Sequence, residues 1–130
     1  MDLEAFNKRL AGTLPELLGM RYVTLEPDRV VAELTIRDDL RTVGGALHGG
    51  TLMAFADTIG AAGTVANLVE GQRTATLESK TNFIAGCKSG TVQAEAKPIH
   101  KGKRTHVWET RITDEAGKLL SVTTQTQMIL

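Results

Sequence analysis

One stretch of the sequence places a histidine, two glycines and a lone acid at a spacing that could support chemistry. Residues 46–70 read ALHGGTLMAFADTIGAAGTVANLVE, and the single charged residue between His48 and Glu70 is Asp57. An ionised carboxylate in apolar surroundings is unfavourable unless it is paired, hydrogen-bonded or used in a reaction. Asp57 is therefore the first candidate for a catalytic group, with His48 and Gly49 as the other members of its motif.

The residues after His48 predict one long helix over 49–69, ended by the glycine of VEGQ. Its apolar residues recur at helical spacing: Leu52, Phe55, Ile59, and Ala62 or Ala66. Glycine inside a helix costs about 1 kcal/mol relative to alanine, so Gly60 and Gly63 predict close contact with a neighbouring sheet. The segment is long enough to span a membrane, but Asp57, Asn67 and its glycines and threonines dilute it, which favours a buried helix.

The composition excludes several classes of protein. A chain of 130 residues with 42% hydrophobic and 23% charged residues is typical of one globular domain over 1–130. Fifteen basic residues balance fifteen acidic ones, so we expect neither nucleic acid nor a membrane as a partner. Cys87 is the only cysteine, and the opening MDLEAFNKRL lacks the charge and apolar run of a secretion signal. These features predict a cytoplasmic protein.

The remaining patterns predict an α+β protein. Helical spacing near the N-terminus is followed by a hairpin that turns at Pro27 and Asp28. Four later runs are rich in Thr, Val and Ile and are separated by turn residues: 73–84, 90–100, 104–113 and 118–130. A curved antiparallel sheet wrapped around the one long helix is the economical way to bury both.

Together with these elements, four segments carry a resemblance to a known family. They are LPELLGM, the HGG with an acid nine residues after its histidine, SKTNFIAG, and HKGKRTHVWETRITDEAGKLLS. Over nearly the whole chain they resemble the hotdog-fold acyl-CoA thioesterases, specifically the phenylacetyl-CoA thioesterase-like branch. The resemblance implies a hotdog fold and hydrolysis of an acyl-CoA to a free acid and coenzyme A. Coenzyme A would be part of the substrate, and no separate cofactor is expected.

The resemblance also implies roles for the motif. The backbone N–H of Gly49 would polarise the thioester carbonyl, and Asp57 would act as nucleophile or as general base, a choice that the sequence leaves open. The two residues lie about 12 Å apart along one helix, at about 1.5 Å per residue. The family's site lies across a dimer interface, so we expect a homodimer and leave open a dimer of dimers. His48 would contribute to catalysis or cap the helix.

Four further residues are assigned to substrate binding by the same resemblance: Thr42, Gly50, Ala61 and Thr76. Thr42 stands where many relatives carry Asn or Gln, and its hydroxyl has a shorter reach and fewer donors. Ala61 stands where some relatives use Ser or Thr. Thr76 matches a hydroxyl position of other relatives and could compensate for that loss.

The run HKGKRTH supplies a local positive charge on a neutral chain. Lys101, Lys103 and Arg104 fit either a solvated hairpin tip or a site for the phosphates of coenzyme A. No group of His, Cys, Asp and Glu has the ligand spacing of a zinc site, so we predict no metal.

Other functions remain to be weighed against hydrolysis. Hotdog dehydratases pair a catalytic histidine with an acid in motifs that this sequence lacks. A hotdog protein that binds an acyl thioester without hydrolysing it is favoured by the missing amide at Thr42. Asp57 would then need another purpose, such as hydrogen bonding across a dimer interface to hold two helices in register.

Overall fold

The structure, a computed structural model, describes residues 2–130. Its helices and strands are, in chain order, α1 (Leu3–Lys8), α2 (Leu14–Leu18), β1 (Arg21–Glu26), β2 (Arg29–Thr35), a short 3₁₀ turn (Asp38–Leu40), α3 (Gly49–Val65), β3 (Thr74–Phe83), β4 (Thr91–Lys101), β5 (Thr105–Thr113) and β6 (Leu119–Ile129). The predicted hairpin is present, and each of the four later strands lies within one residue of its expected limits.

The six strands form one antiparallel sheet, in the order β1-β2-β4-β5-β6-β3, and α3 packs against every strand. The core lies between them and is filled by fully buried side chains such as Phe55, Ile59 and Trp108. Burial of this apolar area is the main favourable term in folding, at roughly 25 cal/mol per Å². The predicted arrangement of an antiparallel sheet around one long helix is confirmed.

Two glycines let the sheet approach α3, as the sequence predicts. A Cβ atom on Gly60 would lie 2.1 Å from Nε2 of Gln125, and one on Gly63 would lie 2.5 Å from the ring of Trp108. Real Cβ atoms do not come this close to their neighbours, so both positions require glycine while these side chains keep their places. The cost of glycine in the helix is therefore offset by closer packing.

The end of α3 differs from the prediction. The helix ends at Val65, with Ala66 as its C-cap, four residues before the expected limit at 69. The side-chain amide of Asn67 donates to the carbonyl of Gly63 and to that of Pro27, both at 2.8 Å. The first bond takes the Gly63 carbonyl that the Asn67 N–H would use in a continuing helix, and that N–H donates to the carbonyl of Thr64 instead. The second bond ties the chain to the β1–β2 turn, so the helix stops there.

β3 is an edge strand. Only β6 pairs with it, and most of its side chains are exposed, including Leu77 at 55% and Phe83 at 54%. A ten-residue edge strand leaves a row of backbone N–H and C=O groups without strand partners. β3 also packs against α3, and so lies next to the helix that carries Asp57.

Within residues 2–130, no helix combines the length and the apolar character needed to cross a membrane.

Candidate active site

The N-terminus of α3 is capped by His48. Its backbone is extended, and its Nδ1 accepts the N–H of Gly50 at 2.7 Å. A ring nitrogen that accepts carries no proton, so in the neutral ring the proton lies on Nε2. The capping role that the sequence leaves open for His48 is therefore present, and the free Nε2–H remains able to donate to a ligand. The same bond occupies the N–H of Gly50.

The next amide toward the start of the helix belongs to Gly49. Among the hydrogen bonds made within residues 2–130, none has the Gly49 N–H as its donor. A cavity of about 350 Å³ adjoins it, lined by Leu47, Gly49, Leu52, Phe83, Ile84, Ala85 and Gly86. A Cβ atom on Gly49 would lie 3.0 Å from the ring of Phe83, so a larger residue here would have to displace that ring by a few tenths of an ångström. A helix N-terminus with a free N–H is favourable for negative charge.

Asp57 is half-buried on the side of α3 that faces β3. Its Oδ1 accepts the hydroxyl proton of Thr76 at 2.7 Å, and none of the ion pairs formed within residues 2–130 includes it. The carboxylate is thus hydrogen-bonded but not neutralised by a cation. Ala61, one turn further along α3, has no hydroxyl to offer, and Thr76 supplies one from the sheet.

One protomer does not bring Asp57 and Gly49 together. They belong to the same straight run of helix, eight residues and about 12 Å apart at 1.5 Å per residue. Asp57 and Gly49 of the same subunit therefore cannot contact one carbonyl group at the same time.

Thr42 is used locally, in the loop that precedes α3. Its Oγ1 accepts the N–H of Gly44 at 3.1 Å, and its own N–H donates to the carbonyl of Ala46 at 2.7 Å. The side chain therefore stabilises a turn, and only its hydroxyl proton is left for a ligand.

The basic residues lie at the other end of the molecule. Lys101 Nζ is 2.5 Å from Asp28 Oδ1 and 3.2 Å from Asn67 Oδ1, just beyond the C-terminal end of α3. Lys103 and Arg104 are exposed at the β4–β5 turn and form no ion pair with another described residue. Lys101 therefore lies near the opposite end of α3 from Gly49, and the 17 residues of this helix span about 25 Å.

Sequence reasoning overlooked two polar residues beside the site. Gln125 and Gln127 lie fully buried on the face of β6 that turns toward α3. Their signal in the sequence is the alternation TQTQ, in which the glutamines fall on the side of the strand that also carries Ser121 and Thr123, which are fully buried as well. A covered strand face is otherwise apolar, so repeated amides there indicate a hydrogen-bonded network.

A buried polar cluster lies nearer the C-terminal end of α3. Thr64 Oγ1 accepts the Nε1–H of Trp108 at 2.9 Å and is 3.1 Å from His106 Nδ1. Since the oxygen already accepts, the hydroxyl proton of Thr64 is available to a neutral His106. Burial lowers the pKa of His106, and the positive charge of Lys101 and the neighbouring His100 lower it further.

Stability is therefore expected to depend on pH through His106. Below about pH 6.5 the unfolded chain binds a proton at this residue while the folded protein resists it, so the free energy of unfolding falls as the pH is lowered. Above that pH both states are neutral at His106 and the effect disappears. Urea unfolding should give a smaller loss of stability from about pH 7.5 to about pH 5.5 in His106→Gln than in the wild type. Equal losses in both proteins would contradict this role.

A family model described as the thioesterase superfamily matches residues 44–121, more than half of the chain and including the start of α3, Asp57 and Thr76. The chain belongs to the thioesterase superfamily. This membership confirms the family resemblance seen in the sequence.

Individual proteins similar to this superfamily member are also thioester hydrolases. The 1,4-dihydroxy-2-naphthoyl-CoA hydrolase of Listeria monocytogenes is 34% identical over 109 residues, which cover 84% of this chain and 89% of that protein. The crystal structure of a thioesterase from Haemophilus influenzae matches with a TM-score of 0.96 at 29% identity, covering 100% of this chain and 91% of that one. These similarities confirm the hotdog fold and indicate a thioester hydrolase.

A third match concerns the fold alone. The PaaI protein of E. coli, from the phenylacetic acid degradation operon, has a TM-score of 0.86 at 21% identity, covering 97% of this chain and 90% of that one. The branch named by the sequence resemblance is thus among the structural neighbours of this thioesterase-superfamily chain.

Proposed function

We propose that the protein hydrolyses an acyl-CoA thioester to a free acid and coenzyme A, at a site that two subunits of a homodimer build together. The observation that carries this proposal is the Gly49 N–H, which has no acceptor among residues 2–130 and adjoins an apolar cavity. Hydrolysis of a thioester places negative charge on the carbonyl oxygen. A preorganised N–H at a helix N-terminus stabilises that charge and so lowers the barrier.

Asp57 supplies the second function. As a general base it takes a proton from water while the water oxygen attacks the thioester carbon. The tetrahedral intermediate then expels the thiolate of coenzyme A, which recovers the proton. As a nucleophile, an oxygen of Asp57 attacks the thioester carbon, and the C–S bond breaks to release the thiolate of coenzyme A and leave a mixed anhydride. Water then cleaves the anhydride to the free acid and the Asp57 carboxylate, and the proton that this water loses neutralises the thiolate. The hydrogen bond from Thr76 fits both mechanisms, because it holds one carboxylate oxygen and leaves the other free.

A homodimer would bring Asp57 of one subunit close to Gly49 of the other. The separation of Asp57 from Gly49 within one helix calls for the second residue from another subunit, and the unpaired edge of β3 offers a surface for it. Pairing β3 with a second copy of itself would satisfy its backbone groups and cover Leu77 and Phe83. The side of α3 that carries Asp57 would then face the partner. Two such dimers could associate further through surfaces outside this site.

Coenzyme A bound beside Gly49 of one subunit would be held at its charged end by Lys103 and Arg104 of the partner subunit, because in one protomer these residues lie at the other end of the molecule. Both side chains are exposed and form no ion pair within residues 2–130. Lys101 already contacts Asp28, so it contributes less charge to a phosphate. The acyl group would occupy the cavity beside Phe83, whose apolar lining suits an aryl or medium-length chain.

A second candidate function is binding of an acyl thioester without hydrolysis. The observation that favours it is Thr42, whose hydroxyl oxygen is occupied by the Gly44 N–H and does not offer the amide that would help to place a water molecule. Under this alternative the same cavity and amide bind the thioester, and Asp57 contributes only hydrogen bonds.

Release of free thiol from a panel of aliphatic and aromatic acyl-CoAs tests the proposal, with sedimentation of the same sample to establish its subunit number. Turnover of at least one thioester by a dimer, or by a dimer of dimers, is the expected result. Binding of acyl-CoA with no thiol release would favour the binding protein. A monomer that hydrolyses acyl-CoA at full rate would contradict the shared site.

A further inference from the structure

Two buried glutamines of β6 belong to a hydrogen-bonded chain that ends at Asp57. The side chains of Gln125 and Gln127 are both 0% exposed. A primary amide is unfavourable to bury unless its hydrogen bonds are made, and here each amide bonds to protein groups on both sides. The donor and the acceptor of each hydrogen bond in this chain follow from the group at its start.

That first member is the carbonyl of Ala56, which can only accept. Gln125 Nε2 donates to it at 2.9 Å, so the Oε1 of Gln125 faces away and accepts from Gln127 Nε2 at 2.6 Å. The same nitrogen of Gln127 donates to Thr76 Oγ1 at 2.6 Å, so that oxygen accepts. The single hydroxyl proton of Thr76 is left for Asp57 Oδ1, 2.7 Å away.

The backbone fixes this chain at two points. Thr76 and Gln127 are paired in the β3–β6 ladder, and Thr74 Oγ1 lies 3.0 Å from Gln127 Oε1 on the other side of the amide. At the far end, Gly60 leaves the space that Gln125 needs in order to reach α3. The chain therefore starts and ends on adjacent residues of α3 and passes through two strands between them.

We propose that Gln127 is a positioning residue for Asp57 and acts through Thr76, an inference that rests on the proposed role of Asp57 in hydrolysis. By donating to the Thr76 oxygen, Gln127 prevents this hydroxyl from turning to accept elsewhere and directs its proton at Oδ1. Oδ2 then remains the oxygen that faces water or the thioester carbon. The sheet thus supplies the hydroxyl that Ala61 does not provide from the helix.

A double-mutant cycle in kcat tests this order of action. Thr76→Val removes the hydroxyl, and we expect kcat to fall about tenfold with KM little changed, since a hydrogen bond to a charged group is lost. Gln127→Met keeps the length of the side chain without its amide, and we expect a fall of about threefold to fivefold. Because Gln127 acts only through Thr76, the double variant should match Thr76→Val.

Two further variants separate positioning from packing. Thr76→Ser keeps the hydroxyl and should retain most of the wild-type kcat. Thr123→Val is the matched control, because Thr123 is buried on the same face of β6 and its hydroxyl contacts Thr81, at 2.7 Å, outside the chain to Asp57. It should lower stability without the loss of kcat. Multiplicative effects of Gln127→Met and Thr76→Val, or an equal loss in Thr123→Val, would overturn the inference.

The carboxyl-carbon NMR resonance of Asp57 reads the same contact without turnover. It should shift in Thr76→Val, shift in the same direction but less in Gln127→Met, and stay in place in Thr123→Val. A wild type that releases no thiol, with these shifts present, would refute the proposed hydrolysis and leave the positioning intact. Thiol release by the wild type with an unmoved resonance in Gln127→Met would refute the positioning alone.

Discussion

Asp57→Asn is expected to lower kcat for thiol release from acyl-CoA by about 10²–10⁴-fold, with a folded protein of unchanged subunit number. Asparagine has nearly the same shape as aspartate, and its carbonyl oxygen can still accept the proton of Thr76. What it loses is the ability to take a proton or to attack a carbonyl carbon. The measurement is the initial rate of thiol release on the panel, together with sedimentation of the variant.

The control for lost charge is Glu33→Gln, which removes a carboxylate from an exposed position of β2, and it should leave the rate unchanged. The outcome also distinguishes a catalytic role of Asp57 from a structural role at the dimer interface. If Asp57 only holds two helices in register across an interface, the asparagine variant should dissociate or unfold. A dimeric Asp57→Asn protein with the wild-type rate would show that this carboxylate takes no part in the reaction.

Gly49→Pro is expected to lower kcat by about 10²–10³-fold relative to Gly49→Ala, the loss that follows removal of one oxyanion donor. Proline removes the N–H that the proposal requires. It is tolerated at the first position of a helix, and the extended backbone of His48 (ψ 136°) suits a residue that precedes proline. Alanine keeps the N–H, and both variants add a Cβ atom against the ring of Phe83.

The ratio of the rates of these two variants therefore measures the contribution of the backbone N–H at position 49. Similar rates for Gly49→Pro and Gly49→Ala would assign the loss to crowding by Phe83 and not to the amide. Mixing the Gly49→Pro and Asp57→Asn proteins tests whether two subunits share the site. Random reassociation makes half of the dimers mixed, each with one intact site, so activity should return to about a quarter of the wild-type value. A site confined to one subunit would give no recovery.

The sequence predicted most of the fold because its patterns are local. Runs rich in Thr, Val and Ile between turn residues located β3 to β6, and the HGG motif located the start of α3. The predicted end of α3 was wrong because Asn67 donates a hydrogen bond to Pro27, a residue forty positions away that no local pattern indicates. A side chain that satisfies distant carbonyl groups overrides helical spacing.

The site was predictable to a similar extent. The lone charge in the helix indicated Asp57 as the candidate acid, and the structure places the Thr76 hydroxyl 2.7 Å from its Oδ1. Gln125 and Gln127 could not be assigned to it, because their contacts depend on the register between β3 and β6, which is set by the whole sheet. The position of Lys101 could not be assigned either, because its contacts with Asp28 and Asn67 depend on how β4 packs near the end of α3.

The missing side chain at Gly60 has a consequence for how this protein can vary. Gln125 occupies the volume that any Cβ at position 60 would need, so position 60 cannot take a larger residue while Gln125 keeps its place. A mutation to alanine at position 60 would displace the amide that begins the chain to Asp57, although residue 60 contributes no atom to it. Divergent members of the same lineage should therefore exchange these two residues together, a larger residue at 60 appearing with a shorter one at 125.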